Sequence, residues 1–280
     1  MRVLVTGGAG QLGRALVRRC GAHDVIALDV DRLDICDAAS IAHALDHVDL
    51  VINAAAYTAV DKAEADRDRA FAVNAVGAGN VARACADRGI RLLHVSTDYV
   101  FDGTATRAYR EDDPIAPLGV YGASKAAGEH AVHAAGGTVV RTSWLFGQGG
   151  PSFVHTMVRL ARERPVLRVV ADQHGCPTWT DHLADVLLAL AVQPALAATY
   201  HYCDTPATTW HDFAIAIVDE ARRCVPLACE RIDAITTADY PTPAKRPAYS
   251  VLDTARIAAL GIAPRRWHSG LAELVAKELC

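Results

Sequence analysis

Arg2-Val-Leu-Val-Thr-Gly7-Gly-Ala-Gly10-Gln-Leu-Gly13 sets a short, β-rich apolar run directly before three glycines spaced three apart. From Leu12 to Cys20 apolar residues recur at helical spacing, so the stretch reads as strand, tight turn and helix. The glycines permit the turn, let backbone approach a phosphate closely, and let the helix pack against the strand. The helix start would then face that phosphate with free N–H groups and the positive end of its dipole. The position, immediately after a first strand, separates this run from a chance glycine-rich turn.

The alternation continues outward. Val25–Leu28 reads as a second strand ending at Asp29, and Ile41–Leu45 sits in a short helix. Leu50–Asn53 is a third strand leading into Ala54-Ala-Ala56, and Ala70–Arg88 a long amphipathic helix closed by Gly89. Leu92–Ser96 is a fourth strand with Thr97 at its end. Ala123–Ala135 is a helix ended by Gly136-Gly137, and Thr138–Thr142 is a fifth strand. This order predicts an α/β fold, a doubly wound parallel sheet (Rossmann) with ligands at the carboxyl ends of the strands. After Gly147 the pattern loosens into helices over Phe153–Glu163, Asp181–Ala191 and Trp210–Arg223, the last capped by Thr208 or Thr209. Ala238–Pro247 holds three prolines and reads as a long loop. A Gly/Pro cluster at 147–152 divides a dinucleotide-binding domain, 1–150, from a smaller C-terminal α/β domain. That second domain, 151–280, is expected to be mainly substrate-binding, with some segments returning to pack on the first.

Composition narrows the class. With 280 residues, 51% hydrophobic and 21% charged, the chain can build a sizeable core. A net charge of −4 gives no footprint for nucleic acid. No apolar run reaches membrane-spanning length, and the N-terminus lacks the apolar stretch of a signal peptide, so a cytoplasmic location is expected. The eight cysteines include no Cys-x-x-Cys and are expected as reduced, mostly buried thiols. His43/His47 and His130/His133 have helical spacing but no third ligand nearby, so solvated helix faces are expected rather than a metal.

The chemistry lies in three further places. Tyr121 and Lys125 are four apart and share one helix face. A free tyrosine has a pKa of about 10, too high for proton transfer at neutral pH. An ammonium one turn away would lower it, and the lysine could also hold a nicotinamide ribose. Thr97, 24 positions before Tyr121, could donate a second hydrogen bond to the same developing oxyanion, with Ser96 as its competitor. Asp29, 22 residues after Gly7, could accept both ribose hydroxyls and would repel a 2′-phosphate. NADH is therefore expected, with NADPH left open by Arg32. Asp34 and Ile35 could flank an adenine.

These residues resemble the extended short-chain dehydrogenase/reductase pattern, and more narrowly the dTDP-4-dehydrorhamnose reductases. The resemblance rests on Gly10-Gln-Leu-Gly13, on the run from Asn53 to Glu64, and on Ser96-Thr-Asp-Tyr-Val-Phe-Asp-Gly103. It continues through Val120-Tyr-Gly-Ala-Ser-Lys125, Arg141-Thr-Ser-Trp144, Asp172-Gln-His-Gly-Cys-Pro-Thr178 and Tyr240-Pro-Thr-Pro-Ala-Lys-Arg-Pro247. The last two belong to the narrower group. The resemblance implies NAD(P)H-dependent reduction of the C4 keto group of dTDP-4-dehydro-6-deoxy-L-mannose. It implies Thr97, Tyr121 and Lys125 as the catalytic set, and Thr97, Asp98 and Trp144 on the sugar nucleotide. It implies Gly7, Gly10, Gln11, Leu12, Asp29, Asp34, Ile35, Ala56, Tyr57, Thr58, Tyr121 and Lys125 along the cofactor. Lys245 and Arg246 could meet the diphosphate. Some members join as Mg²⁺-bridged dimers through carboxylates, one of them two residues after the glycine loop. That position is Ala15 here, leaving Asp181 as a poor site alone. No metal is therefore expected, and a monomer or weak homodimer is.

Three alternatives share these motifs. One is a 4-ketoreductase for another nucleotide-activated deoxysugar. A second is a non-catalytic partner like the regulatory β subunit of methionine adenosyltransferase, which need not retain Thr97, Tyr121 and Lys125. A third is an epimerase or dehydratase. A dehydratase would place an acidic pair beside Thr97, where Asp98-Tyr99 supplies one carboxylate.

Overall fold

A computed structural model describes residues 1–280. The chain enters through β1 (Arg2–Thr6), turns at the glycine loop and starts α1 (Gln11–Arg19). It then runs through β2 (Asp24–Leu28), α2 (Ala38–Ala44) and β3 (Leu50–Asn53). Next come α3 (Val60–Ala63), α4 (Arg67–Phe71), α5 (Ala78–Asp87), β4 (Arg91–Thr97), α6 (Val120–Ala134) and β5 (Thr138–Thr142). A sixth strand, Thr199–His201, arrives from beyond the Gly/Pro cluster. The sheet order is Thr199–His201, β5, β4, β3, β1, β2, and every pairing is parallel.

These strands are continuous apolar runs because both faces are covered. One face packs Val3, Val5 and Ile52 against Leu12 and Leu16 of α1 and against Leu183 and Leu187 of α8 (Thr180–Ala191). The other packs Leu4, Val51 and Val139 against Ile41 of α2, Val81 and Cys85 of α5, and Val132 of α6. Strand order reverses between β1 and β3, which opens a crevice at their carboxyl ends.

Two helical boundaries differ from the sequence expectation. The helix expected over Ala70–Arg88 carries a π segment, Ala72–Gly77, between α4 and α5. The wider turn brings buried Asn74 inward, where its amide bonds the Tyr57 backbone at 2.8 and 3.0 Å and Ser124 Oγ at 2.9 Å. Helix α6 begins at Val120, three residues early, and so takes in Tyr121. The Val120 N–H donates to Glu64 Oε1 at 2.8 Å, a cap from 56 residues away that local sequence cannot reveal.

Beyond the cluster, α7 (Phe153–Glu163) and α9 (Trp210–Arg222) enclose a second core with Phe146, Trp179, Phe213 and Trp267. Thr209 caps α9 by accepting the Asp212 N–H at 3.0 Å. A parallel strand pair, Val166–Val170 with Arg231–Ile235, flanks this core. The proline-rich loop is irregular apart from a single turn at Thr237–Asp239. Asp172 holds that turn through Thr237 N at 2.9 Å and Thr237 Oγ1 at 2.7 Å.

The cysteine expectation needs one correction. Cys224 and Cys280 are joined by a disulfide with their Cα atoms 5.5 Å apart, because packing of the last helical segment on α9 brings together residues 56 apart. Of the other six thiols, four are buried and two half-buried. His43, His47 and His130 are exposed, and His133 bonds Thr199 Oγ1 at 3.0 Å. No helix is long and apolar enough to cross a membrane.

Candidate active site

The crevice at the strand ends is a cavity of about 1060 Å³. The expected catalytic set, the cofactor residues from Gly7 to Lys125, and Asp98 and Trp144 all line it, whereas Arg32, Lys245 and Arg246 do not. At one end stands the glycine cradle. Gly7 has φ +71°, and a Cβ there would lie 2.8 Å from the Ala55 backbone, so the turns after β1 and β3 touch only because the side chain is missing. Helix α1 has no side-chain cap at Gly10, which leaves the first N–H groups, around Gln11 and Leu12, for an anion. Asp29 reaches across from β2, and its Oδ2 accepts the Ala9 N–H at 2.7 Å. Asp34 and Ile35 follow on the same wall, and the Asn74 bonds hold Ala56, Tyr57 and Thr58 opposite them. An uncapped helix start behind a side-chain-free turn, with a carboxylate at the next strand end, fits a dinucleotide.

The other end is set by β4 and α6. Thr97 is the last residue of β4, and its hydroxyl donates to Asp98 Oδ1 at 3.0 Å. Asp98 is 1% exposed, and its Oδ2 has no hydrogen-bond partner. Burial pushes its carboxyl up to about 6, against bonds from Ser250 and Thr97 that favour the charge. A carboxyl raised above its unfolded value contributes stability at low pH, which is lost as pH climbs through about 6. Asp98→Asn is therefore expected to gain thermal stability over the parent progressively as pH rises from 3.8 to about 6, and to hold that gain at higher pH. A difference in melting temperature that stays flat across that range would contradict the assignment.

Tyr121 stands edge-on to Tyr99, ring centroids 5.6 Å apart. Burial and the Asp98 charge raise its phenol to about 12, while the Thr97 hydroxyl pulls the other way. The expected lowering by Lys125 is absent from this arrangement. Lys125 Nζ is turned into the fold, donating to Val95 O at 2.7 Å and lying 3.2 Å from His94 Nε2. Burial lowers this amine to about 8, and Glu129 partly offsets that. At neutral pH the phenol is thus a protonated donor rather than a phenolate.

Trp144 follows β5 with φ +45°, a strained backbone for a bulky residue. Its indole stacks on Trp210 at 3.6 Å and 9°. Gly175 lies directly beneath, where a Cβ would come 2.5 Å from Trp144 Cε2. Stack and glycine together hold the strained conformation. Sequence reading missed Trp210, Phe153, Arg14 and Arg69, which also line the cavity. They come from four different helices, and no motif links them. Arg246, expected with Lys245 at the diphosphate, makes a two-pronged pair with Asp61, 2.8 Å at its shorter arm.

A Mg²⁺ bridge does not fit. Ala15 is fully buried and offers no donor, and Asp181 already accepts Arg18 Nη2 at 2.6 Å.

The whole chain, residues 1–280, matches the family described as "RmlD substrate binding domain". The chain belongs to the RmlD family. A dTDP-4-dehydrorhamnose reductase of Aggregatibacter actinomycetemcomitans is 45% identical, with 98% of each chain covered. A probable dTDP-4,6-dihydroxy-2-methyloxan-3-one 4-ketoreductase of Streptomyces antibioticus is 43% identical, covering 98% of this chain and 94% of that one. The crystal structure of dTDP-4-dehydrorhamnose reductase from Bacillus anthracis in complex with NADP superposes with a TM-score of 0.91. It is 36% identical, with 99% of each chain covered. The glycine cradle and the β4–α6 wall thus sit in an RmlD-family fold over their full length.

Proposed function

We propose that this RmlD-family chain reduces the C4 keto group of dTDP-4-dehydro-6-deoxy-L-mannose with NAD(P)H. The product is dTDP-L-rhamnose, and the reaction is the last step of dTDP-rhamnose biosynthesis. The observation that carries the reading is one cavity wall holding the Thr97 hydroxyl and the protonated Tyr121 phenol, with the glycine cradle at the far end. Full-length similarity to a dTDP-4-dehydrorhamnose reductase supports it.

When bound, NAD(P)H supplies the hydride that reduces C4. The chain supplies the rest. Tyr121 gives its proton to the C4 oxygen as charge develops there. Thr97 donates a second hydrogen bond to that oxygen. Lys125, with Nζ already held by Val95 O and His94 Nε2, offers its remaining N–H to the ribose. Asp98, with a free buried oxygen, accepts from a sugar hydroxyl, and Trp144 offers an apolar platform to the sugar nucleotide. Residues 1–150 hold the cofactor and 151–280 chiefly the substrate, although α8 and Thr199–His201 pack on the first part. The chain acts in the cytoplasm as a monomer or weak homodimer.

Asp29 serves both the loop and a ribose in this reading. Its replacement by Ala removes the loop bond for either cofactor but the ribose bonds chiefly for NADH. NADH binding is expected to weaken about 10-fold more than NADPH binding, the scale of a hydrogen bond to a charged group. Equal losses in a fluorescence titration would remove Asp29 from ribose recognition.

The function itself is tested by NADH and NADPH oxidation with dTDP-4-keto-6-deoxyglucose, with and without a 3,5-epimerase. Turnover that needs the epimerase supports the proposal. Turnover without it favours a ketoreductase for another deoxysugar, a reading suggested by the Streptomyces antibioticus relative. No turnover in either case overturns both.

A further inference from the structure

His94 is out of place in its strand. The run Arg91-Leu-Leu-His-Val95 of β4 lies inside the sheet, and His94 is 0% exposed among apolar neighbours. A buried imidazole in such a position is costly unless both ring nitrogens are bonded. Here both are. Nε2 lies 3.2 Å from Lys125 Nζ, and Nδ1 lies 3.1 Å from Asn53 Nδ2. The Thr6 hydroxyl donates to Asn53 Oδ1 at 2.6 Å and accepts the Ala55 N–H at 3.3 Å. One unbroken chain therefore runs from Lys125 across three strands to the residue that precedes Gly7.

We infer that His94 is a positioning residue for Lys125, presenting the lone pair of Nε2 to the ammonium and fixing where it lies. The inference rests on the proposal that Lys125 serves the reduction.

A proton wire is the other reading of such a chain, and burial decides against it. His94 and Asn53 are 0% exposed and Thr6 is 1% exposed, so the chain ends in the core and reaches no water. It can orient Lys125 but cannot resupply a proton to Tyr121. The tautomer follows from chemistry. An ammonium only donates, so Nε2 must accept and the ring proton must sit on Nδ1. With the proton on Nδ1, the Asn53 amide turns end for end from its placement here, where Nδ2 faces Nδ1 and Oδ1 faces Thr6, so that its oxygen accepts from the ring. Burial keeps the ring neutral, holding His94 well below its ordinary range. The titratable groups that face it are Lys125 and His133, both on α6, while β3 presents only Asn53. Lys125 itself faces Glu129, whose charge Arg141 balances. With Nε2 gone, the ammonium would keep the Val95 carbonyl but lose its second acceptor.

The test compares two near-isosteric amides in the full-length protein. In His94→Gln the side-chain amide reaches the Nε2 position, whereas in His94→Asn it reaches only Nδ1. Both are assayed for kcat across pH with the epimerised 4-keto substrate, with NADPH affinity and melting temperature alongside. His94→Gln is expected to keep the alkaline limb of wild type. His94→Asn should lose about 10-fold in kcat and carry that limb about one unit lower, because an ammonium with fewer acceptors gives up its proton sooner. Substrate KM should move little in either. The same limb and the same kcat in both variants would overturn the inference. Nitrogen-15 spectra of the wild-type imidazole give a check that needs no variant. An Nδ1–H tautomer at neutral pH is expected, and an Nε2–H tautomer would overturn the inference. Lys125→Met is the control for the reading beneath. Full turnover there would overturn the role of Lys125 in the reduction, whereas matching Gln and Asn variants would overturn only that of His94.

Discussion

Tyr121→Phe is expected to lower kcat by about 10²–10⁴-fold, the range over which a positioned proton donor contributes. NADPH affinity should hold within about threefold, because a lost hydroxyl away from the glycine cradle removes at most one neutral hydrogen bond, about 0.5–1.5 kcal/mol. The split follows from where the ring sits. Its edge packs on Tyr99 and its hydroxyl faces the Thr97 side of the cavity, away from the start of α1. Phenylalanine keeps the ring contact and removes the hydroxyl that carries the proton. Stopped-flow oxidation of NADPH gives kcat, and fluorescence quenching gives affinity. A variant that turns over within about threefold of wild type would move proton donation elsewhere, and Asp98 would be the next candidate.

Arg141→Met is expected to unfold the protein far more readily. Arg141 and Glu129 are buried, with side chains 4% and 1% exposed, and they meet at 2.7 Å. Arg141 also lies 3.2 Å from His201 Nε2. Removing one partner strands the other charge in the core, which costs about 3–5 kcal/mol. For a chain of this size that lowers the melting temperature by roughly 10 °C. Replacing both residues, with Glu129→Leu added, should recover most of the loss, since the stranded carboxylate is what costs. A single variant melting within about 2 °C of wild type would show that Glu129 finds another partner or water. The two predictions separate cleanly: Tyr121→Phe changes rate and not stability, and Arg141→Met the reverse in its first effect.

Much of the site is legible in the chain because its parts are local. The glycine loop is one turn, read from three residues and their neighbours. Tyr121 and Lys125 share a helix face by spacing alone. Thr97, Asp29 and Trp144 are each marked by standing at a strand end, where a doubly wound sheet gathers its ligands. What escaped reading lies across the fold. Trp210 stacks on Trp144 from 66 residues away, and Glu64 caps α6 from 56 away. The π segment that turns Asn74 inward interrupts a helix whose apolar spacing looks continuous. The Cys224–Cys280 bond depends on where the last helical turn docks.

The sequence by itself determined the parallel α/β frame, the cradle and the identities of the donor groups, because periodicity, glycine and strand-end position act within a few residues. Only the tertiary structure decided what those groups do with their charges. Lys125 was expected to act on Tyr121, and instead its donors are taken by Val95 and His94 while burial holds the phenol protonated. Arg246, free in sequence to meet a diphosphate, is paired with Asp61. Spacing along a chain fixes which side chains share a face. Burial and partners from distant strands set protonation and direction, because the local dielectric and the competing acceptors belong to the packed whole.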